Sequence, residues 1–483
     1  MIGQNAIDIN NIKVSYVSTE YVLDELSLQV AEGEWILITG PSGCGKTTLA
    51  RVISGLIPHA ISASIWGELE VDGIEILKVP LAEIAKHVGM VFQNPSSQLF
   101  HLTVEEELAF GPRNLGLSEG EVQQRVNWII SEMGLQDLRG KCPSKLSNGQ
   151  KQLVATSAVL AMQPKVLVLD EPTASLDISS TSHLMSALAR MIKRYGITIV
   201  MIEHRLTTAI KNVDRVCVMN AGRIAVQGSP GKVFSDLDLR KTYGLRRLVD
   251  APMSSWHKLI KKDGQKKRTD QRILEIKNVR AGYEGQIVLK DINLSIYPGE
   301  FVSLVGENGA GKSTLGLVAA GLLKPQSGKV VYREGKSQRA GLDIALLFQN
   351  PQEQLFTNSV DAEVAFAPKN FNCFDSKIHN ILMNEADLAL FADKHPYALS
   401  VGQQLRTALA ACVAIQPSLV ILDEPTLGQD WEHLSRLMNY LKTLNEFGTA
   451  ILLVSHDYKL VHRYAHRVLL MEEGRIILNG YLN

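Results

Sequence analysis

Two stretches of the chain carry residue types suited to holding phosphate: GPSGCGKTT at Gly40–Thr48 and GENGAGKST at Gly306–Thr314. Each fits G-x-x-x-x-G-K-[ST], follows an apolar run (EWILITG, EFVSLVG) and opens a helix-like segment. Glycines let backbone N–H groups curl round a phosphate with no Cβ in the way. The helix N-terminus behind adds roughly half a unit of positive charge. The pattern therefore predicts one nucleotide cradle from Gly40, Ser42, Gly43, Gly45, Lys46, Thr47 and Thr48. It predicts a second from Gly306, Asn308, Gly309, Gly311, Lys312, Ser313 and Thr314. Lys46 and Lys312 would reach the β- and γ-phosphates, and the Thr47 and Ser313 hydroxyls would face Mg²⁺. Cys44, at a variable loop position, reads as a small filler.

Carboxylates complete the chemistry. VLVLDEPT (Val166–Thr173) recurs as LVILDEPT (Leu419–Thr426). Asp170 and Asp423 end apolar runs, where a carboxylate beside the loop can hold Mg²⁺, usually through water. Glu171 and Glu424 follow directly and can orient or deprotonate a water attacking a γ-phosphate. Both copies keep this pair, so both sites are expected to hydrolyse nucleotide.

The elements that must position these groups are themselves repeated in the same order. FQNPSSQLF (Phe92–Phe100) returns as FQNPQEQLF (Phe348–Phe356), LSNGQ (Leu146–Gln150) as LSVGQ (Leu399–Gln403), and VMIEH (Val200–His204) as LLVSH (Leu452–His456). The chain thus reads as a tandem duplication: a first domain over 1–235, a linker over 236–272 whose stretch Trp256–Arg272 is polar and basic, and a second domain over 273–483. Short Val/Ile/Leu runs alternate with amphipathic stretches, which predicts α/β domains with a mainly parallel sheet covered on both faces. The opening segments, to about Val30 and Ile296, read as antiparallel strands. The run Glu105–Glu107 is expected to open a helix, where acidic side chains suit the dipole.

Composition sets limits. Lys plus Arg equals Asp plus Glu at 50 each over 483 residues, so no whole-molecule field draws the chain to nucleic acid. The five cysteines are scattered without metal-like spacing, as expected of reduced thiols in a cytosolic protein. No signal peptide is read at the N-terminus. No run approaches the roughly 20 apolar residues of a membrane span, so a membrane process would need other chains to do the crossing.

The signature pentapeptides LSNGQ and LSVGQ, each some twenty residues before an LDEP strand, together with the Gln loop, ASLD (Ala174–Asp177) and the late His, resemble the ATP-binding-cassette (ABC) ATPases over nearly the whole chain. That resemblance implies two P-loop cassettes, each with a parallel core, an antiparallel β subdomain and a helical signature subdomain. It implies that the halves pair head to tail within one chain, joining Lys46 to Ser400 and Lys312 to Ser147 across two composite ATP sites, with Gly149 and Gly402 beside the serines. It further implies adenine stacking by Tyr16 and Tyr283, γ-phosphate contact by His204 and His456, and sensing of Mg²⁺ and water by Gln93 and Gln349. Asp177 and Asp430 match the loop that crosses to the opposite site, although the second copy reads LGQD. Both signatures lack the commoner Gly at their third letter.

The segments Asn94–Gly116 and Asn350–Asn370 resemble, more narrowly, the ATPases of energy-coupling-factor importers. This implies a transmembrane coupling subunit, a separate substrate-binding membrane subunit, uptake of a vitamin, vitamin precursor or metal ion, and a peripheral place on the cytoplasmic face of the cell membrane. In that reading Leu99, Phe100, Leu355 and Phe356 are apolar anchors for a coupling helix. A tandem ATPase of sugar importers is the alternative, against which stand the two complete sites and the paired FQNPxxQLF. A ribosome-acting tandem cassette would call for a long charged insert and a basic surface.

Overall fold

The computed structural model describes all residues other than 1–4, 17–19, 174–175, 177, 204–211, 244, 246–259, 262–270, 284, 308, 333–342, 426–430, 456 and 483. His204, His456, Asn308, Asp177 and Asp430 lie outside the described residues, as does most of the basic stretch before Ile273. The chain forms two compact units, Met1–Asp250 and Ala251–Asn483.

In the first unit the described strands of the central sheet run in the order Arg223–Gly228, Arg215–Asn220, Trp35–Thr39, Thr198–Ile202, Val166–Asp170, Val88–Val91. All neighbours are parallel except the first pair, which forms an antiparallel edge. Trp35–Thr39, Thr198–Ile202 and Val166–Asp170 are buried at every position, as expected of strands covered on both faces. A second sheet is antiparallel, with Leu23–Ala31, Asn5–Ser15, Ser64–Val71 and Ile74–Glu75 in that order. Leu23–Ala31 buries mostly every second residue, because one face meets water. The expected division into parallel core and antiparallel subdomain is therefore present.

The second unit repeats the plan. Its central sheet runs Ile260–Lys261, Arg475–Leu482, Arg467–Glu472, Phe301–Gly306, Ala450–Val454, Leu419–Asp423, Ile344–Leu347. Leu274–Tyr283, between Gln286–Ile296 and Ser327–Tyr332, makes the antiparallel sheet.

A helical layer completes each unit. In the first, Val104–Asn114, Glu119–Met133 and Asn148–Ala161 pack their apolar stripes into one core with the central sheet. Thr103, Ser118 and Ser147 cap these helices through their hydroxyls, the last two in reciprocal capping boxes. Gln152 breaks the apolar pattern. It is fully buried on the helix Asn148–Ala161, and neither amide atom has a hydrogen-bond partner among the described residues. Counting from the two signature serines, the second unit has Leu405 there, also fully buried.

Candidate active site

Each phosphate loop is built by a forced departure from its strand. Gly40 has φ 145° and Gly306 φ 157°. A Cβ would lie 2.1 Å from the Met219 carbonyl oxygen at the first and 2.2 Å from that of Met471 at the second, so only glycine lets the loop turn against the neighbouring strand. The helices Lys46–Ile53 and Lys312–Ala319 start at the lysines, as the pattern predicts. The Lys46 ammonium is buried and donates to the carbonyl oxygens of Gly40 (3.0 Å) and Pro41 (2.6 Å). Lys312 does the same to Gly306 (2.9 Å) and Glu307 (2.8 Å). Cys44 is buried and packs in the core beneath the loop, with its thiol 3.6 Å from Lys46 Nζ. Burial raises its pKa.

The strand-end carboxylates meet these loops. Thr47 Oγ1 donates to Asp170 Oδ1 (3.5 Å), and Ser313 hydrogen-bonds Asp423. Burial pushes both Asp170 and Asp423 up to about 6, against the Thr47 and Ser313 hydrogen bonds that pull them down. A buried carboxylate of this kind is eased by a nearby cation. Among the described residues no group of three or more His, Cys, Asp or Glu is placed to hold a metal. The available donors are instead hard oxygens: one carboxylate, one hydroxyl and the Gln93 or Gln349 amide. This set fits Mg²⁺, which takes few protein ligands and completes its shell with water and phosphate.

Glu171 and Glu424 sit at φ 48° and 50°, in the left-handed region. Their N–H groups still donate to the adjoining strand, at Ile202 O (3.0 Å) and Val454 O (2.9 Å). The chain therefore leaves the sheet at the glutamate itself, a backbone cost of the kind concentrated at functional sites. Gln93 Nε2 donates to Glu171 Oε2 (2.9 Å), so two expected site residues from distant segments are joined directly. Tyr16 is half-exposed and hydrogen-bonds the Thr48 hydroxyl (3.2 Å), next to the phosphate loop. Tyr283 is half-exposed at its own strand end. Ser147 and Ser400 are exposed at helix N-termini, each accepting from the N–H three residues on (Gln150, 3.3 Å; Gln403, 3.4 Å). Gly149 is buried and Gly402 partly so.

One site residue went unread in the sequence. Glu203, buried where its strand ends, accepts hydrogen bonds from the Thr173 N–H (3.3 Å) and, closely, from the Thr173 hydroxyl. The signal was a charged residue ending the apolar run TIVMI.

The repeated FQNPxxQLF loop has its own geometry. Asn94 and Asn350 each cap a short turn through Oδ1, to Ser96 N (3.0 Å) and Gln352 N (3.2 Å). The second glutamine of each copy closes the loop on the strand before it. Gln98 accepts from Phe92 N (3.1 Å) and donates to Met90 O (3.2 Å), and Gln354 pairs likewise with Phe348 N (2.8 Å) and Leu346 O (2.6 Å). Glu107, buried in the helix Val104–Asn114, turns back and accepts from Phe100 N and His101 N, both at 2.9 Å. Glu363 repeats this with Phe356 N (3.0 Å) and Thr357 N (2.8 Å). Thus Glu107 is more than a dipole-matching acid at a helix start. Each copy presents an outward phenylalanine, 65% exposed at Phe100 and 63% at Phe356. Each stands edge-on to a second ring, Phe110 at 4.9 Å or Phe366 at 4.8 Å. The expected leucine anchors turn partly or wholly inward. Leu355 is buried in the second unit's core, and half-buried Leu99 packs against the first. Beside Phe356 and Phe366 lies a cavity of about 240 Å³, lined also by Leu322, Phe348, Ala367 and Cys412.

Comparison with known proteins decides the family. The family described as ABC transporter matches residues 23–174 and 289–427, covering both sets of loops. The chain belongs to the ABC transporter ATPases. It is accordingly an ATP-binding, ATP-hydrolysing protein with two tandem cassettes. It is 35% identical to an ABC transporter ATP-binding protein of Methanosarcina acetivorans, over 97% of this chain and 85% of that one. It is 33% identical to one from Caldanaerobacter subterraneus, over 95% and 88% respectively. Among solved structures it is similar to cbiO1 from Clostridium perfringens, part of the ABC transporter complex cbiONQ, at 33% identity. That match covers 50% of this chain and 95% of cbiO1, with a TM-score of 0.44. ABC ATPases generally work with membrane subunits. Among the described residues no helix is long and apolar enough to cross a membrane.

Proposed function

We propose that this ABC ATPase is the energy-coupling subunit of a membrane importer for a small nutrient: a vitamin, a vitamin precursor or a metal ion. The observation that carries the reading is the matched pair of outward phenylalanines, each backed by a second ring and each pinned by a buried glutamate, in both cassettes. A helix laid across such rings would bury apolar area in helix-in-groove fashion. The partner would be a transmembrane coupling subunit, with a separate substrate-binding membrane subunit choosing the cargo. The chain would sit peripherally on the cytoplasmic face. Domains over 1–235 and 273–483, joined through 236–272, would pair head to tail.

At each site Lys46 or Lys312 would leave its loop carbonyls for the phosphates. Thr47 with Asp170, or Ser313 with Asp423, would hold Mg²⁺, with Gln93 or Gln349 alongside. Bound there, Mg²⁺ would neutralise charge on the phosphate oxygens. Glu171 and Glu424 would orient the attacking water, with His204 and His456 near the γ-phosphate. Tyr16 and Tyr283 would stack on adenine. Ser147 and Ser400 would present a hydroxyl and a helix N-terminus to the γ-phosphate held by the opposite cassette.

Purification from native membranes in mild detergent tests this. A small integral membrane protein and a coupling subunit should co-purify, and ATPase activity should vanish in the Glu171→Gln, Glu424→Gln double variant. The Phe100→Ala, Phe356→Ala variant should lose those partners while its detergent-free ATPase activity stays within about twofold. Retention of the partners by that variant would refute the groove, and ribosomal partners would refute transport.

A further inference from the structure

We propose that Glu203 is a positioning residue of the first ATP site, its place in the second cassette being taken by Ser455, so that the first site turns over faster. This rests on the reading of Glu171 as the group that orients the attacking water. Glu203 follows the strand Thr198–Ile202 and is 1% exposed. Its carboxylate takes both the N–H and the hydroxyl of Thr173. One residue earlier in the same strand, the Ile202 carbonyl takes the Glu171 N–H. The three-residue turn Glu171-Pro172-Thr173 is therefore fastened at both ends to the end of one strand. Glu171 is the residue held at φ 48°, a conformation that persists where its surroundings fix it. Tying down Thr173 denies the turn a route to relax, and with it any drift of the Glu171 carboxylate. A misplacement of about 1 Å can cost as much as ~100-fold in rate.

The second cassette keeps the strand bond of this device. Glu424 has the same backbone conformation, φ 50°, and the same strand bond to Val454. At the position of Glu203 it has Ser455, also fully buried, whose hydroxyl accepts instead from the Asp457 N–H two residues on (3.0 Å). Serine carries no carboxylate and is shorter than glutamate by two carbons of side chain. Glu203 adds a buried charge-assisted acceptor, a bond type roughly twice as strong as a neutral one.

The test uses the full chain with ATP and Mg²⁺. Glu203→Ser should lower kcat about tenfold while KM for ATP stays within twofold. Glu203→Gln, which keeps an acceptor oxygen, should retain at least a third of the parent kcat and the parent melting temperature. Vanadate trapping of 8-azido-ATP, followed by mass spectrometry of the labelled peptides, reports each site separately. The first cassette should hold the larger share in the unaltered chain, and Glu203→Ser should shift label to the second. Equal labelling in the unaltered chain, or a label pattern and kcat indifferent to Glu203→Ser, overturns the proposal. So does a kcat loss matched by an equal rise in KM. Residual hydrolysis in the Glu171→Gln, Glu424→Gln protein would instead sink the underlying reading of the glutamates.

Discussion

Replacing Glu107 by glutamine tests how the outward phenylalanine is held. Glu107 is buried and bonds two consecutive N–H groups, those of Phe100 and His101, at 2.9 Å each. Glutamine keeps one oxygen in place but removes the charge. A hydrogen bond to a charged group contributes about 1.5–3 kcal/mol and a neutral one about 0.5–1.5, so each bond weakens by about 1 kcal/mol. Two bonds give about 2 kcal/mol, which is a roughly 30-fold change in the opening equilibrium of the loop. Hydrogen–deuterium exchange reads this directly. The Phe100 and His101 amides should exchange roughly 30-fold faster in Glu107→Gln. The equivalent amides of Phe356 and Thr357, bonded to Glu363 in the other unit, supply an internal control that should not change. Unchanged exchange at Phe100, or equal acceleration in both copies, would refute the idea that this carboxylate sets the loop.

Two further outcomes follow from burial. Gln152→Leu, which installs the residue found at the matching place in the second unit, should stabilise the first unit by about 1–3 kcal/mol, since it removes two buried unpaired polar atoms. Urea denaturation followed by tryptophan fluorescence measures it, and a loss of stability would show that the amide has a partner. At pH 8 a maleimide should label exposed Cys373 and partly exposed Cys142, the latter's thiol lowered by its hydrogen bond with Ser144, at least about 100-fold faster than buried Cys217, and also faster than Cys412, which is partly exposed but set in a cavity lined by Leu322 and Phe348. Burial pushes the Cys217 and Cys412 thiols to about 11 and about 12, favouring the neutral thiol in the folded state. That contribution to stability holds below the unfolded thiol's pKa and is lost as pH climbs toward 11–12. Mass spectrometry of labelled peptides checks the order.

The parts of the fold and site that could be read in the sequence are those encoded by short contiguous strings. Phosphate loops, strand-end Asp-Glu pairs and all-buried strands each announce themselves within about ten residues, because strand burial and loop geometry are local demands. The parts that escaped depend on where a turn sends its side chains. Leu99 and Leu355 sit beside the exposed phenylalanines in sequence, but Leu355 is buried in its core and Leu99 half-buried against the other. Glu107 sits in an acidic run that suits a helix start, and its buried return to Phe100 appears only once the loop is folded. The spacing of seven from Phe100 to Glu107, kept from Phe356 to Glu363, was the available sign. Glu203 was masked by the His that follows it, and its partner Thr173 lies thirty residues away.

The parked lysines have a consequence for selectivity. Each ammonium is already solvated by two carbonyl oxygens of its own loop, so an incoming anion must outbid them rather than fill a naked charge. Chloride or a lone carboxylate would offer little beyond one contact in exchange for those two. A polyphosphate would offer more by engaging the loop amides, the helix N-terminus and the lysine together. The first loop's backbone is already turned at its glycines, so little of the binding free energy would go to folding it.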